Sequence, residues 1–275
     1  MPELPEVETI VRDLAPLLAG RRVRRADLAK TDVLRRVSKA RLLATLAGNT
    51  ITAVERRAKH AVFRLRSGHR MVIQPRMTGS LIVHEHPLSA EERRYAVLTC
   101  QLDDGRLLVY RDVRRLGTVW LLDDRGWSRY TAQIGPEPLE PSFTAAVFAE
   151  RLRGTRAAIK KAIMDQRRLA GVGNIYANEA LFDARVDPSK PTHRLTPAQL
   201  EAIHTAVVDV LRRAVAASGT TVRDYRTGTG AAGEFQFELN VYGRGGEPCV
   251  RCGHRLVTTH AIDQRHTTLC PYCQR

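Results

Sequence analysis

The sequence predicts a multidomain α+β chain in three parts. A leading helix precedes a β-rich half that reads as a sandwich or barrel; a helical region follows, then a small metal-stapled module. Three observations carry this reading. Between about residues 22 and 132 the apolar runs are short and broken by turn signals such as Ser67-Gly68 and Asp103-Asp104-Gly105. Beyond a Pro- and Glu-rich stretch at 133–147 the apolar spacing becomes helical. Four of the five cysteines fall in the last 27 residues, as two C-x-x-C pairs.

The chain opens Met1-Pro2-Glu3-Leu4-Pro5-Glu6. A small second residue permits removal of Met1, which would leave Pro2 with a free secondary α-amine. With a reference pKa near ~8, roughly a tenth of such an amine is neutral at pH ~7, against about one lysine in 2500. A neutral secondary amine can attack a sugar C1′ or a carbonyl and become an iminium, an electron sink. Glu3 is close enough to move protons for it. The plainer alternative is a proline-stiffened lead into a helix. Residues 5–19 do place Val7, Ile10, Val11, Leu14 and Leu17/Leu18 at helical spacing, with Glu6 and Glu8 in the acidic first turn. Pro16 is expected to kink or end that helix early.

Strands are expected at 50–58, 61–65, 71–74, 79–84, 96–102, 107–111 and 117–122. The basic run Arg56-Arg57-Ala58-Lys59-His60 lies on one of them. Such a run on a surface strand ordinarily meets solvent or phosphate, but flanking arginines also depress a lysine pKa by like-charge repulsion. Two loops, Gln74-Pro75-Arg76-Met77-Thr78-Gly79 and Arg111-Asp112-Val113-Arg114-Arg115-Leu116-Gly117, mix basic and long apolar side chains with glycine. They read either as ordinary turns with a buried Met and Leu or as wedges for a nucleic-acid duplex.

Helices are expected at 148–153, 157–166, 175–182 and 197–217. Before the third of these, Ala170-Gly171-Val172-Gly173-Asn174 exposes backbone N–H groups at a helix start, a natural phosphate site, with Asn174 as N-cap or phosphate ligand. Lys160 and Lys161 add charge. Residues 218–237 hold Gly219, Gly228, Gly230 and Gly233 and read as a mobile tether or a lid. Cys249/Cys252 and Cys270/Cys273 are separated by 17 residues. That spacing predicts one structural Zn2+ held by four thiolates on two knuckles, a redox dithiol or iron–sulfur cluster being the other uses of such pairs. Arg265 would sit at a hairpin tip between the pairs, where it is either a solvated arginine or a phosphate contact.

Composition narrows the partner. With 44 Lys and Arg against 29 Asp and Glu the net charge is +15, which favours a polyanion, most commonly nucleic acid. The apolar content of 43% argues against disorder. No stretch approaches the ~18 apolar residues of a membrane helix, and the start lacks a secretory pattern. A cytoplasmic, nucleoid-associated location is expected.

The ordered motifs MPELPEVE, RRAK, RMTGSL, YRDVRRLG, IGPEPL, AAIKKAIMDQ, AGVGNIYANEALF, GTTVRDY and NVYGRGGEPC, with the terminal cysteine pairs, resemble the bacterial formamidopyrimidine-DNA glycosylase (Fpg/MutM) family over essentially the full length. Leu4 favours this branch over the related endonuclease VIII branch, which commonly has glycine there. The resemblance implies an N-terminal β-sandwich catalytic domain with a leading helix (1–132). A helix–two-turns–helix DNA-binding domain with a lesion-capping loop (133–238) and a zinc finger (239–275) would follow. It implies a bifunctional DNA glycosylase/AP lyase of base excision repair, acting as a monomer on damaged double-stranded DNA. Pro2 would be the Schiff-base nucleophile, Glu3 the general acid/base and Glu6 an organiser of the site. Lys59 matches a lysine assigned to catalysis and DNA contact. Met77, Arg114 and Leu116 match residues that fill the gap left by an extruded base, Lys160 and Asn174 match phosphate ligands, and Arg265 matches a phosphate contact linked to δ-elimination.

Three departures from the family pattern stand out. Gln74-Pro75-Arg76 replaces the common His-Leu-Gly, Leu116 replaces a common Phe, and Val97 stands where a DNA-contacting histidine is often found. They predict altered lesion preference or opposite-base discrimination with the chemistry intact. The alternative to an enzyme is a DNA-binding protein of the same fold without glycosylase activity. A zinc-ribbon module joined to an unrelated helical domain fits the ordered motifs poorly.

Overall fold

The computed structural model describes residues 2–221 and 225–275. The chain forms two compact units, Met1–Ala132 with Ala217–Glu234, and Gln133–Ala216 with Phe235–Arg275.

In the first unit α1 (Leu4–Leu18) is followed by β1 (Val23–Leu28), α2 (Lys39–Leu46), β2 (Ile51–Arg57), β3 (His60–Leu65), β4 (Arg70–Gln74) and β5 (Gly79–His84). Then come α3 (Ala90–Arg94), β6 (Ala96–Leu102), β7 (Leu107–Asp112), β8 (Thr118–Leu122) and α4 (Asp124–Thr131). The strands make two antiparallel four-stranded sheets, ordered β1-β6-β7-β5 and β2-β3-β4-β8. Their inner faces meet as a sandwich: Val54, Phe63, Met71, Ile73 and Val119 from one sheet share a core with Leu81, Leu98, Cys100, Leu108 and Tyr110 from the other. Val7, Ile10, Leu14 and Leu18 of α1 join that core, each fully buried. At about 1.5–3 kcal/mol per buried aliphatic side chain, this face fixes the start of the chain against the sandwich.

Pro16 does not end α1. The helix runs to Leu18, and Ala19 N–H closes on Ala15 O. A proline this near the C-terminus removes one internal bond and leaves few turns to disturb. The strand β1 lacks a readable signal because only its ends, Val23 and Leu28, are buried, and a register shift between Val23 and Arg25 breaks the alternation. The helix α2 carries a weak one: Ser38 caps it by accepting from Arg41 N, and Leu42 and Leu46 form its buried stripe. Val97 is buried in β6 at 2% exposure, and Tyr95 and Ala96 before it are partly exposed.

The second unit contains α5 (Ala145–Leu152), α6 (Ile159–Met164), α7 (Asn174–Asp183), α8 (Pro197–Ala216) and a hairpin of β9 (Val257–Thr259) and β10 (Thr267–Leu269). Gln166 organises the turns between α6 and α7. Its Nε2 donates to Met164 O and Val172 O, and its Oε1 accepts from Gly171 N. Asn174 is the first residue of α7 and Gly173 its N-cap, one position from the capping expectation. Glu179, 1% exposed, accepts from the N–H groups of Asn240, Val241 and Tyr242 at 2.7–3.0 Å. Burial pushes its carboxyl up, and those three donors act in the opposite direction.

Candidate active site

Pro2 and Glu3 are buried immediately ahead of α1. Glu6, 1% exposed, reaches both ways from the first turn. Its Oε2 accepts from Glu3 N at 2.7 Å and its Oε1 accepts from Thr220 N at 2.8 Å. The Tyr225 hydroxyl donates to Glu6 O and Ser218 O. The N-terminus is thus tied to the 217–234 segment within one unit. Two glycines of that segment serve close approach. A Cβ on Gly219 would lie 2.9 Å from Glu6 Oε1, and one on Gly228 would lie 2.7 Å from Asp13 Cβ. The tether-or-lid question for 218–237 and the removal of Met1 fall partly or wholly outside the described residues.

Lys59 is buried at the β2–β3 turn, where Arg57 pairs with His60. Arg56 docks on α1, its Nε 2.7 Å from Glu8 Oε2. His60 is held on both nitrogens, Nδ1 3.0 Å from Arg57 O and Nε2 2.8 Å from the Tyr130 hydroxyl.

The two loops are neither buried turns nor independent of each other. Met77 is 45% exposed and Leu116 38%, large apolar side chains left in water as interaction sites leave them. Arg114 Nη1 lies 3.7 Å from Met77 Sδ, and Arg114 N donates to Thr78 Oγ1. Beneath them Asp112, 1% exposed, accepts from the Thr78 hydroxyl (2.5 Å), the Tyr110 hydroxyl (3.1 Å) and Gly117 N (2.8 Å). Burial first, and the Asp112 charge second, push the Tyr110 phenol up, so it stays a donor. Asp112 to Ala is expected to strand three donors and cost about 3 kcal/mol, read as a lower urea midpoint with an unchanged m-value.

A shared backbone device recurs. Lys59, Met77, Leu116 and Arg265 each follow a non-glycine residue at positive φ: Ala58 (51°), Arg76 (54°), Arg115 (51°) and Gln264 (62°). Such residues cost about 1 kcal/mol or more and cluster where side chains must be aimed.

In the second unit Lys160 is fully buried. Its Nζ lies 2.7 Å from Thr267 Oγ1, 3.3 Å from Asp263 Oδ1 and 3.4 Å from His266 O. It is a strap between α6 and the β9–β10 hairpin rather than a surface cation. Asn174 Nδ2 donates to His266 O (3.1 Å), and Asn178 Oδ1 accepts from Thr268 N. Asp263 also accepts from Arg265 N, which leaves the exposed Arg265 side chain at the hairpin tip. Beside it opens a cavity of about 530 Å³ lined by Lys161, Arg167, Arg168 and Arg265 together with Asp165 and Asp263, which leaves it net basic.

The Sγ atoms of Cys249, Cys252, Cys270 and Cys273 all lie within 4.8 Å of one another, with 249–273 at 3.9 Å and 252–270 at 3.5 Å. Zn–S bonds of about 2.3 Å in a tetrahedron put sulfurs about 3.8 Å apart, so the set fits one structural Zn2+.

Sequence reasoning missed Asp112, Gln166 and Glu179. The one available signal was an acid among basic side chains, as at Asp112 between Arg111 and Arg114.

Family models cover most of the chain. One described as the formamidopyrimidine-DNA glycosylase N-terminal domain matches residues 1–119, and one described as that enzyme's H2TH domain matches 134–226. A zinc finger found in FPG and IleRS matches 246–275. The formamidopyrimidine-DNA glycosylase of Chloroflexus aurantiacus is 44% identical, covering 100% of this chain and 98% of that protein. That of Thermomicrobium roseum is 43% identical over 100% and 99%. Among solved structures, a mutant Lactococcus lactis FPG in complex with a Fapy-dG containing DNA has TM-score 0.91 at 32% identity, covering 100% of both chains. MutM (FPG) from Thermus thermophilus has TM-score 0.87 at 35% identity, covering 99% and 98%.

Proposed function

Since the chain belongs to the formamidopyrimidine-DNA glycosylase family, we propose that it excises oxidised purines, formamidopyrimidines and 8-oxoguanine, from duplex DNA in base excision repair. The reading rests on one conjunction: a full-length family match and an intact, buried Pro2-Glu3 start braced by Glu6.

With Met1 removed, the Pro2 amine sits at the N-terminal end of α1, where the helix dipole disfavours positive charge and so favours the neutral nucleophile. Its lone pair attacks C1′ of the extruded nucleotide as the glycosidic bond to the base breaks, Glu3 moving the proton that accompanies base loss, and the C1′–O4′ bond then opens with a proton passing to O4′. The resulting iminium makes the C2′ proton acidic. Its loss expels the 3′ phosphate by β-elimination, and a second elimination releases the 5′ phosphate, so one amine serves glycosylase and AP lyase. Lys59, buried at its turn, acts beside this chemistry. Extrusion is required because C1′ and the lesion are inaccessible in a stacked duplex. Met77, Arg114 and Leu116 fill the vacated space, their loops held together by Asp112. Glu6 orders the start and the 219–233 segment that covers the everted base. Asn174 and Arg265 bind phosphate, the latter assisting δ-elimination, and Lys160 serves them from behind through Asp263. The functional parts are 1–132, 133–238 and 239–275. The protein acts as a monomer in the cytoplasm, at the nucleoid. No helix among the described residues is long and apolar enough to cross a membrane.

Duplexes with 8-oxoguanine opposite C and opposite A test the reading. Incision opposite C is expected. Salt-sensitive binding with no incision of either would favour the DNA-binding alternative. Leu116→Phe is expected to move the C-over-A incision ratio by about tenfold, or about 1.4 kcal/mol. An unchanged ratio would mean that the smaller wedge does not set discrimination.

A further inference from the structure

The end of β5 and the helix α3 bring together three side chains that the excision chemistry does not use. His84 is the last residue of β5, His86 lies two residues on, and Glu92 is on α3. A ligand atom from each lies within 4.8 Å of the others. His84 Nδ1 is 3.4 Å from Glu92 Oε1, and the two imidazole rings are 5.9 Å apart at 78°. Glu92 is held in place from its other oxygen: Oε2 accepts from Ser89 N at 2.7 Å in the capping box that starts α3.

We propose that His84, His86 and Glu92 form a second metal site, which takes a divalent transition ion such as Zn2+ or Ni2+ through two imidazoles and one carboxylate.

Ligands about 2.0–2.1 Å from a common ion in a tetrahedron stand about 3.3–3.4 Å apart, which is the His84–Glu92 separation. The Ser89 N–H holds Glu92 Oε2, which leaves Oε1 turned toward His84. Two nitrogens and one oxygen suit zinc or nickel and not magnesium or calcium.

Three protein ligands leave a coordination position open. The three side chains line a cavity of about 650 Å³ whose wall also includes Thr78 and Val113. Those two residues belong to the loops that carry Met77 and Arg114, so an ion here would tie α3 to β5 beside the loops.

Protein carrying one zinc on its four cysteines is titrated calorimetrically with Zn2+, Ni2+ and Mg2+. One additional equivalent of Zn2+ and of Ni2+ is expected, and none of Mg2+. The double variant H84A/H86A is expected to lose that equivalent, and E92Q to weaken it by about tenfold or more. Both should keep the cysteine-bound zinc and the melting temperature of the parent measured without added metal. No additional equivalent in the parent would overturn the proposal. So would an equivalent that survives in H84A/H86A, since the ion would then sit on other groups such as His260 and His266, whose rings lie 4.3 Å apart. Because the readout is metal stoichiometry, the outcome does not depend on lesion excision.

Discussion

An N-terminal extension that leaves Pro2 as an internal amide is expected to abolish the borohydride-trapped adduct on abasic-site DNA. Base release should slow by at least about 10³-fold, the scale seen when a nucleophile is removed from an otherwise intact site. The amide nitrogen has no available lone pair, so no iminium forms and no bond to C1′ is made. The rest of the arrangement does not depend on a free terminus. The apolar face of α1 stays in the core, and Glu6 still holds Glu3 N and Thr220 N. Duplex affinity should therefore change little. A protease that trims the extension to expose Pro2 should restore both trapping and excision. An adduct formed by the extended protein would assign the nucleophile elsewhere, with Lys59 the first amine to substitute.

Cys252→Ala is expected to have the second large effect. Structural zinc sites of this kind contribute on the order of 10 kcal/mol, and such modules unfold without the metal. The module has little core of its own: Val241, Cys249, Leu256 and Cys270 pack with Phe182 of α7. With three thiolates the hairpin should lose its order. Arg265 then loses its mount, and Asn174 and Lys160 lose their partners His266, Asp263 and Thr267. Duplex binding should fall by about 10²-fold or more, with a shallower salt dependence because fewer phosphates are engaged. The sandwich, which has its own core, should keep its melting transition. Wild-type affinity in the zinc-free variant would remove the second unit's hairpin from the DNA-binding surface.

Much of the fold was legible because its signals are local. The seven expected strands appear within a residue or two of β2 to β8, since short apolar runs bounded by turn residues report strands locally. The four cysteines declared their cluster by spacing. Elements whose burial comes from a distant neighbour stayed hidden. The strand β1 buries only its two ends, and α4 has no buried residue at all. The same limit applies to the site. Lys160 reads as one of a pair of surface lysines, yet it is enclosed by the hairpin 100 residues later while Lys161 stays exposed. Asp112 reads as a loop acid and is the acceptor that joins two loops.

The amino-acid order alone determined which groups can react and which can ligate: an imino acid second in line, an acid beside it, two pairs of thiols and a surplus of positive charge. These are properties of residue type and spacing, and folding does not alter them. Only the tertiary structure decided that Glu6 braces the chain start against residue 220, that one buried aspartate clamps two exposed wedges, and that two histidines at the end of β5 face a glutamate on α3. Each of those depends on a contact between residues far apart in sequence or on which way a strand turns its side chains, and neither quantity is written in any local pattern.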